Sequence, residues 1–315
     1  VPDDVAEAIR SYGDALTPSS IVVDETRLLR AHVGGALLHS PRVRRILDTG
    51  SFAHGTAVAG PSRLDCLVVL EGPKPRSLAK AIDALRAALV EGAGSTGAPA
   101  SALGVFASRL ENGDSLVIDR PGTAGLRLIP SYEAKDAGAV DTVWVPDAAH
   151  RWVPHLPGSR ELLLSRIDDD GALRALIRLL IAWKHEHGLG ITSYYLETVA
   201  LRQALQQRSF SLLWDVCWVW ERLANDGLLP LPDLTSPTGT QRVLPKASLA
   251  RSIEEQFAVE RAASTARAAI NAYMDGDGVQ VRRCLRALFG PGFPGPGGQG
   301  LGEQGLGEQE QGLGE

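Results

Sequence analysis

Apolar positions recur along this chain in two rhythms, and the switches between them mark its parts. From Asp3 to Leu16 and from Asp24 to Leu38 the spacing is helical, with Leu28, Leu29, His32, Leu37 and Leu38 near one face. Val43, Ile46 and Leu47 then run into Gly50 and Ser51, and Leu64 to Leu70 is apolar and β-branched enough for a buried strand. Ser77 to Glu91 returns to helical spacing behind Pro75, with Ala79, Ile82, Leu85, Ala88 and Leu89 as its stripe. After the small, flexible composition of Gly92 to Ala100, strands are predicted at Gly104 to Leu110 and Ser115 to Ile118. Asn112-Gly113-Asp114 supplies the hairpin turn between them. Leu126 to Pro130 is a further short apolar strand.

The second half reads as helical. Asp168, Asp169 and Asp170 can cap free N–H groups and suit the positive end of a helix dipole, opening a helix that should stop at Gly188. Its stripe is Leu173, Leu176, Ile177, Leu180 and Trp183, with Lys184 to His187 as a polar last turn. Ser193 is placed to cap the next helix, with Tyr194 or Tyr195 in the core. Phe210 to Leu223 is an aromatic helix too short to span a bilayer. Helices over Ser248 to Met274 and Val279 to Leu288 follow the proline-punctuated loop Pro230 to Pro245. Val143 to Pro157 reads as a packed loop crossing between lobes. Its His150, His155 and Asp147 lack metal-ligand spacing and are read as core or surface groups.

With 44% hydrophobic and 22% charged residues, the chain has the balance of a soluble globular protein long enough for two lobes. A net charge of −5 leaves no electrostatic footprint for tight duplex DNA binding. Cys66, Cys217 and Cys284 are far apart and odd in number, so they are expected as reduced core thiols in a cytoplasmic protein. No apolar run approaches membrane-spanning length, and no membrane partner is expected. The stretch from Gly295 repeats Gly-Leu-Gly-Glu without a basic residue and is expected to be disordered.

Gly50-Ser51, Gly55-Thr56 four residues after the serine, and the step from Ser62 to Asp65 into a strand resemble the signature of the DNA polymerase β-like nucleotidyltransferases. The nearest resemblance is to the bacterial cGAS/DncV-like nucleotidyltransferases (CD-NTases), which make cyclic oligonucleotide signals in anti-phage defence. It implies an α+β fold, a polymerase β-like nucleotidyltransferase lobe (a mixed sheet with helices) packed on an α-helical lobe. The segments would be 1–160, 161–294 and the tail 295–315. It also implies a triphosphate contact at Gly50 and Ser51, and carboxylates at positions 63, 65 and 127 holding Mg2+ or Mn2+. A phosphate-binding lysine would stand at position 181, and Ser193 and Tyr194 would touch phosphate and base. Here Arg63, Arg127 and Ile181 depart from that pattern, and Asp65 is the one matching carboxylate.

The expected function is therefore a nucleotidyltransferase-fold protein of cyclic oligonucleotide signalling with impaired catalysis, binding a nucleoside triphosphate, a cyclic oligonucleotide or a protein partner. In that case it needs no metal, and Arg63 and Arg127 beside Asp65 would imitate the charge of a metal-loaded site and hold phosphate oxygens. An active enzyme with a rearranged metal site and a structural protein with a collapsed pocket are the alternatives.

Overall fold

The computed structural model describes residues 2–95, 108–135, 141–207, 211–245 and 252–294. The expectations for 96–107 and for the tail from Gly295 lie outside the described residues. Seven strands form one mixed sheet: β1 (Val43–Thr49), β2 (Leu64–Leu70), β3 (Ser108–Glu111), β4 (Ser115–Ile118), β5 (Leu126–Glu133), β6 (Val143–Pro146) and β7 (Trp152–His155). The spatial order is β1-β2-β5-β4-β3, and the end of β5 carries the β6–β7 hairpin. Among the described strands only β2 and β5 run parallel, in a register that sets Asp65 beside Arg127 and Leu67 beside Ile129.

Alternation along β2 sorts the two faces of the sheet. Cys66, Val68 and Leu70 point into a core with Leu29, Val33 and Leu37 of α2 (Ser20–Leu38) and Ile82, Leu85 and Leu89 of α4 (Leu78–Ser95). Leu67 and Val69 make a small cluster on the other face with Ile129 and Val143. Asp65 and Arg127 share that second face by the same parity.

The larger core is helical, built from α1 (Pro2–Ala15), α5 (Ser159–Ile167), α6 (Ala172–Glu186), α7 (Ser193–Gln206), α8 (Leu212–Asp226), α9 (Ser252–Met274) and α10 (Gly278–Phe289). Trp183 and Trp220 meet at its centre with ring centroids 4.2 Å apart. Val5, Ile9 and Tyr12 of α1 belong to this core, so α1 packs with the helices although the predicted segment 1–160 groups it with the sheet. The aspartates before α6 cap it as expected: Asp168 accepts from the backbone N–H groups of Leu173 and Arg174, and Asp170 from that of Ala172. All three cysteines are buried and unpaired with one another.

Two expectations are corrected. The loop predicted over Val143 to Pro157 contains the β6–β7 hairpin, because Val143, Trp144, Val145, Trp152 and Val153 are strand formers. Pro154 is tolerated there because β7 is an edge strand. The cap of α7 is Thr192, whose hydroxyl accepts from the Tyr195 N–H, and not Ser193. No helix among the described residues is long and apolar enough to cross a membrane.

Candidate functional site

β1 ends at Thr49, opposite Asp65, and the chain turns at once into the short helix α3 (Gly50–His54). Gly50 has φ +72°, and a Cβ there would run into the Asp65 carboxylate, 2.9 Å from its Cγ. Only glycine meets both demands. The Gly50-Ser51 turn and Asp65 are thus brought together, as the sequence predicts.

The far end of α3 is fixed by the helical core. The His54 Nδ1–H donates to Glu197 Oε2 at 3.0 Å and the Thr56 hydroxyl to Glu197 Oε1 at 2.5 Å. Arg174 and Arg178 of α6 donate to the carbonyls of His54 and Gly55. Burial alone would raise the Glu197 carboxyl. His54, Arg160 and Thr56 together outweigh it and hold the group down at about 2, so a buried carboxylate is ionised here.

The Asp65 side chain makes no hydrogen bond or ion pair among the described residues. Burial pushes its carboxyl up to about 6 against the opposing pull of Arg127 and His54. Arg127, its register neighbour, turns away: Nε donates to Ser115 Oγ at 2.9 Å and Nη2 to both Asp114 oxygens at 3.0 Å. Burial works against the Arg127 charge, yet Asp65 and Asp114 outweigh it and keep the guanidinium above its usual range.

Arg63 donates to Asp119 at 3.1 Å and to Glu111 at 3.4 Å, and Arg109 grips the same two acids. The expectation that Arg63 and Arg127 form a free, metal-like cationic pair is therefore corrected. The β3–β4 hairpin brings Glu111, Asp114 and Asp119 to these arginines, and with Asp65 four carboxylates face three guanidiniums.

Position 181, where the resemblance implies a phosphate-binding lysine, belongs to the core. Ile181 is 1% exposed, inside the helical core. Lys184, one turn further along α6 and expected in a polar last turn, is buried instead, and its Nζ donates to the Ile191 carbonyl at 3.0 Å. Burial first, and Arg127 second, lower its ammonium to about 8, while Asp65 and Glu197 pull the other way. It therefore belongs to the electrostatic surroundings of Asp65. Helical spacing alone offered this signal, since residues three apart share a face.

Tyr194 lies on α7 beside Ser193, which opens the helix. Its ring stacks on the Arg160 guanidinium at 3.5 Å, and its hydroxyl donates to Asp233 at 3.1 Å. Burial raises that hydroxyl to about 12. His155 is lowered to about 4, mainly by burial, and is neutral. Sequence reading did not single out Glu197, Arg160, His54 or Glu111, and it read Asp114 as a hairpin-turn residue.

The residues present do not fit the two-metal arrangement that the fold family implies. Two of the three carboxylate positions carry guanidiniums tied to acids of the hairpin. Among the described residues no group of three or more His, Cys, Asp or Glu side chains could hold a metal ion.

No family model and no curated protein matches this sequence. Solved structures do. CdnC of E. coli MS115-1, in its complex with HORMA-deltaN, is similar with a TM-score of 0.69 at 14% identity, over 92% of this chain and 98% of that one. CdnG of Bradyrhizobium diazoefficiens in complex with GTP gives 0.59 at 15% identity, over 90% and 98%. The Vibrio cholerae DncV cyclic AMP-GMP synthase with nonhydrolyzable GTP gives 0.54 at 14%, over 92% and 86%. At these identities the likeness is one of fold.

Proposed function

We propose that this chain, which has the fold of the cGAS/DncV-like nucleotidyltransferases, binds a nucleoside triphosphate between its sheet and its helical core and is impaired in nucleotidyl transfer. Gly50 and Ser51 receive the phosphates, with Lys184 among the charges around Asp65, and Tyr194 receives the base. Its place would be in cyclic oligonucleotide signalling of the anti-phage kind, as a binder of nucleotide, cyclic product or protein partner. The structures of CdnC with ATP and of CdnG with GTP support nucleotide as the ligand class.

The observation that carries the impairment is Arg127. It occupies the strand position beside Asp65 and is ion-paired to Asp114, so a cation stands at the position where the resemblance implies a ligand carboxylate. Asp65, Gly50, Ser51, Ser193 and Tyr194 remain as the proposed contacts, with Arg63 and Arg127 reaching phosphate only by exchanging an acid for it.

Calorimetry with ATP and with GTP, in Mg2+ and in excess chelator, together with analysis for pyrophosphate, tests this. Binding under both conditions without pyrophosphate is expected. Pyrophosphate release would overturn the impairment. Absence of binding would overturn the nucleotide role and favour a structural protein. A second reading, an active enzyme with a rearranged metal site, is favoured by one fact: Asp114 lies close enough to Asp65 to raise its carboxyl further. Turnover that depends on Mg2+ or Mn2+ would select it.

A further inference from the structure

Arg160 is 1% exposed, and no sequence pattern marked it. It stands near the start of α5 and reaches into the junction of α7 with the loop between the short strands β8 (Leu231–Pro232) and β9 (Arg242–Val243). One of its terminal nitrogens, Nη1, donates to the Tyr194 carbonyl at 3.0 Å. The other, Nη2, donates to the Thr198 hydroxyl at 2.9 Å and to Asp233 at 3.4 Å. The plane of the group lies against the Tyr194 ring, and Glu197 Oε2 is 3.5 Å from Nη1. Its Nε is buried and finds no partner among the described residues.

Those contacts have a common geometry. The backbone of Tyr194 is fixed through its carbonyl, the ring through the stack, and the hydroxyl through Asp233 and Thr235, whose own side chains are bonded to each other. Asp233 receives both Arg160 and Tyr194, so the ring is held at both ends of its long axis. Glu197 continues the chain. The carboxylate next to Arg160 also holds His54 and Thr56, which follow the Gly50-Ser51 turn directly. A single buried path therefore joins the phosphate end of the site to its aromatic end.

We propose that Arg160 is a positioning residue for the nucleoside: it sets the plane of Tyr194 and, through Glu197, the distance of that plane from the Gly50-Ser51 turn. This rests on the nucleotide-binding reading above. An aromatic ring held rigid in advance loses no freedom when a base stacks on it, and the gain is specific to ligands that carry a base. Inorganic triphosphate, which has none, should be indifferent to the orientation of Tyr194.

The experiment is calorimetric titration of the full chain with ATP, adenosine and inorganic tripolyphosphate, for the wild type, Arg160→Lys and Tyr194→Phe. Lysine keeps a cation beside Glu197 but has neither the flat face nor the fork. Arg160→Lys should weaken ATP and adenosine about tenfold while tripolyphosphate changes by less than about twofold. Tyr194→Phe keeps the stack on Arg160 and loses only the hydroxyl's bonds to Asp233 and Thr235, so it should show a smaller loss confined to the same two ligands. It serves as the test if the lysine variant does not fold. Equal losses for all three ligands would mean that Arg160 only supports the fold, and unchanged ATP affinity in both variants would overturn the positioning role alone. A wild type that binds none of the three would overturn the nucleotide reading and this inference with it.

Discussion

Replacing Asp65 by asparagine should stabilise the protein at neutral pH, although it removes the carboxylate at the centre of the site. Asp65 titrates near 3.8 when exposed and at about 6 in the fold, so the folded state binds its proton more tightly. Below 3.8 the group is protonated in both states and contributes nothing. Between the two values the unfolded chain ionises first and stability falls as the pH rises. Above 6 the full penalty is present. At about 1.4 kcal/mol for each tenfold in proton affinity, it amounts to at most about 3 kcal/mol. The Asp65→Asn amide carries no such cost. Urea unfolding of wild type and variant near pH 7.5 and near pH 4 measures the difference. The variant should gain up to about 3 kcal/mol at the higher pH and almost nothing at the lower. A variant less stable than wild type at both, or a gain that ignores pH, would refute the assignment of the penalty to this carboxylate.

Glu197 should behave with the opposite sign. Its carboxyl sits at about 2 against an ordinary 4.5, so its contribution is present above 4.5 and is lost as the pH falls toward 2. Glu197→Ala should cost about 3–5 kcal/mol near neutral pH and Glu197→Gln less, because Arg160 and His54 keep an acceptor; melting curves of both against pH decide it. The double variant Arg63→Asp/Arg127→Asp takes the guanidinium from Asp114, leaves Glu111 and Asp119 with Arg109 alone, and adds two carboxylates beside Asp65. In chelator it should melt well below wild type, and Mg2+ or Mn2+ should raise it again; a melting temperature indifferent to metal would count against the site drawn here. Ile181→Lys should destabilise by about 3 kcal/mol or more through an unpaired charge in the helical core. An unchanged melting temperature would show that position 181 reaches water.

Strand β2 was legible residue by residue, because Leu64 to Leu70 is a run of apolar and β-branched side chains that no helix pattern matches. The glycine turn before it and the short strand from Leu126 were legible for the same local reasons. The outcome at Arg63 and Arg127 was not. Their charges are visible in the sequence, but their partners come from a hairpin whose approach is set by β4 pairing with β5, and spacing along the chain carries no trace of that pairing. Lys184 was misplaced because a lysine in a last helical turn usually faces water, whereas here the Ile191 carbonyl meets it inside. Arg160 and Glu197 were invisible because a charged residue within a helical pattern reads as surface until tertiary contacts bury it.

The closeness of Gly50 to Asp65 bears on how an alignment of related proteins would be read. Position 50 disfavours a side chain on two grounds, its left-handed backbone and the carboxylate above it, and neither ground involves a ligand. A saturation library screened only for folding would already favour glycine there, while Ser51, which lies partly exposed, would vary more freely until selection turned on activity. An invariant column at 50 would then report architecture, and the neighbouring column would be the one that separates lineages still using the pocket from those that have abandoned it.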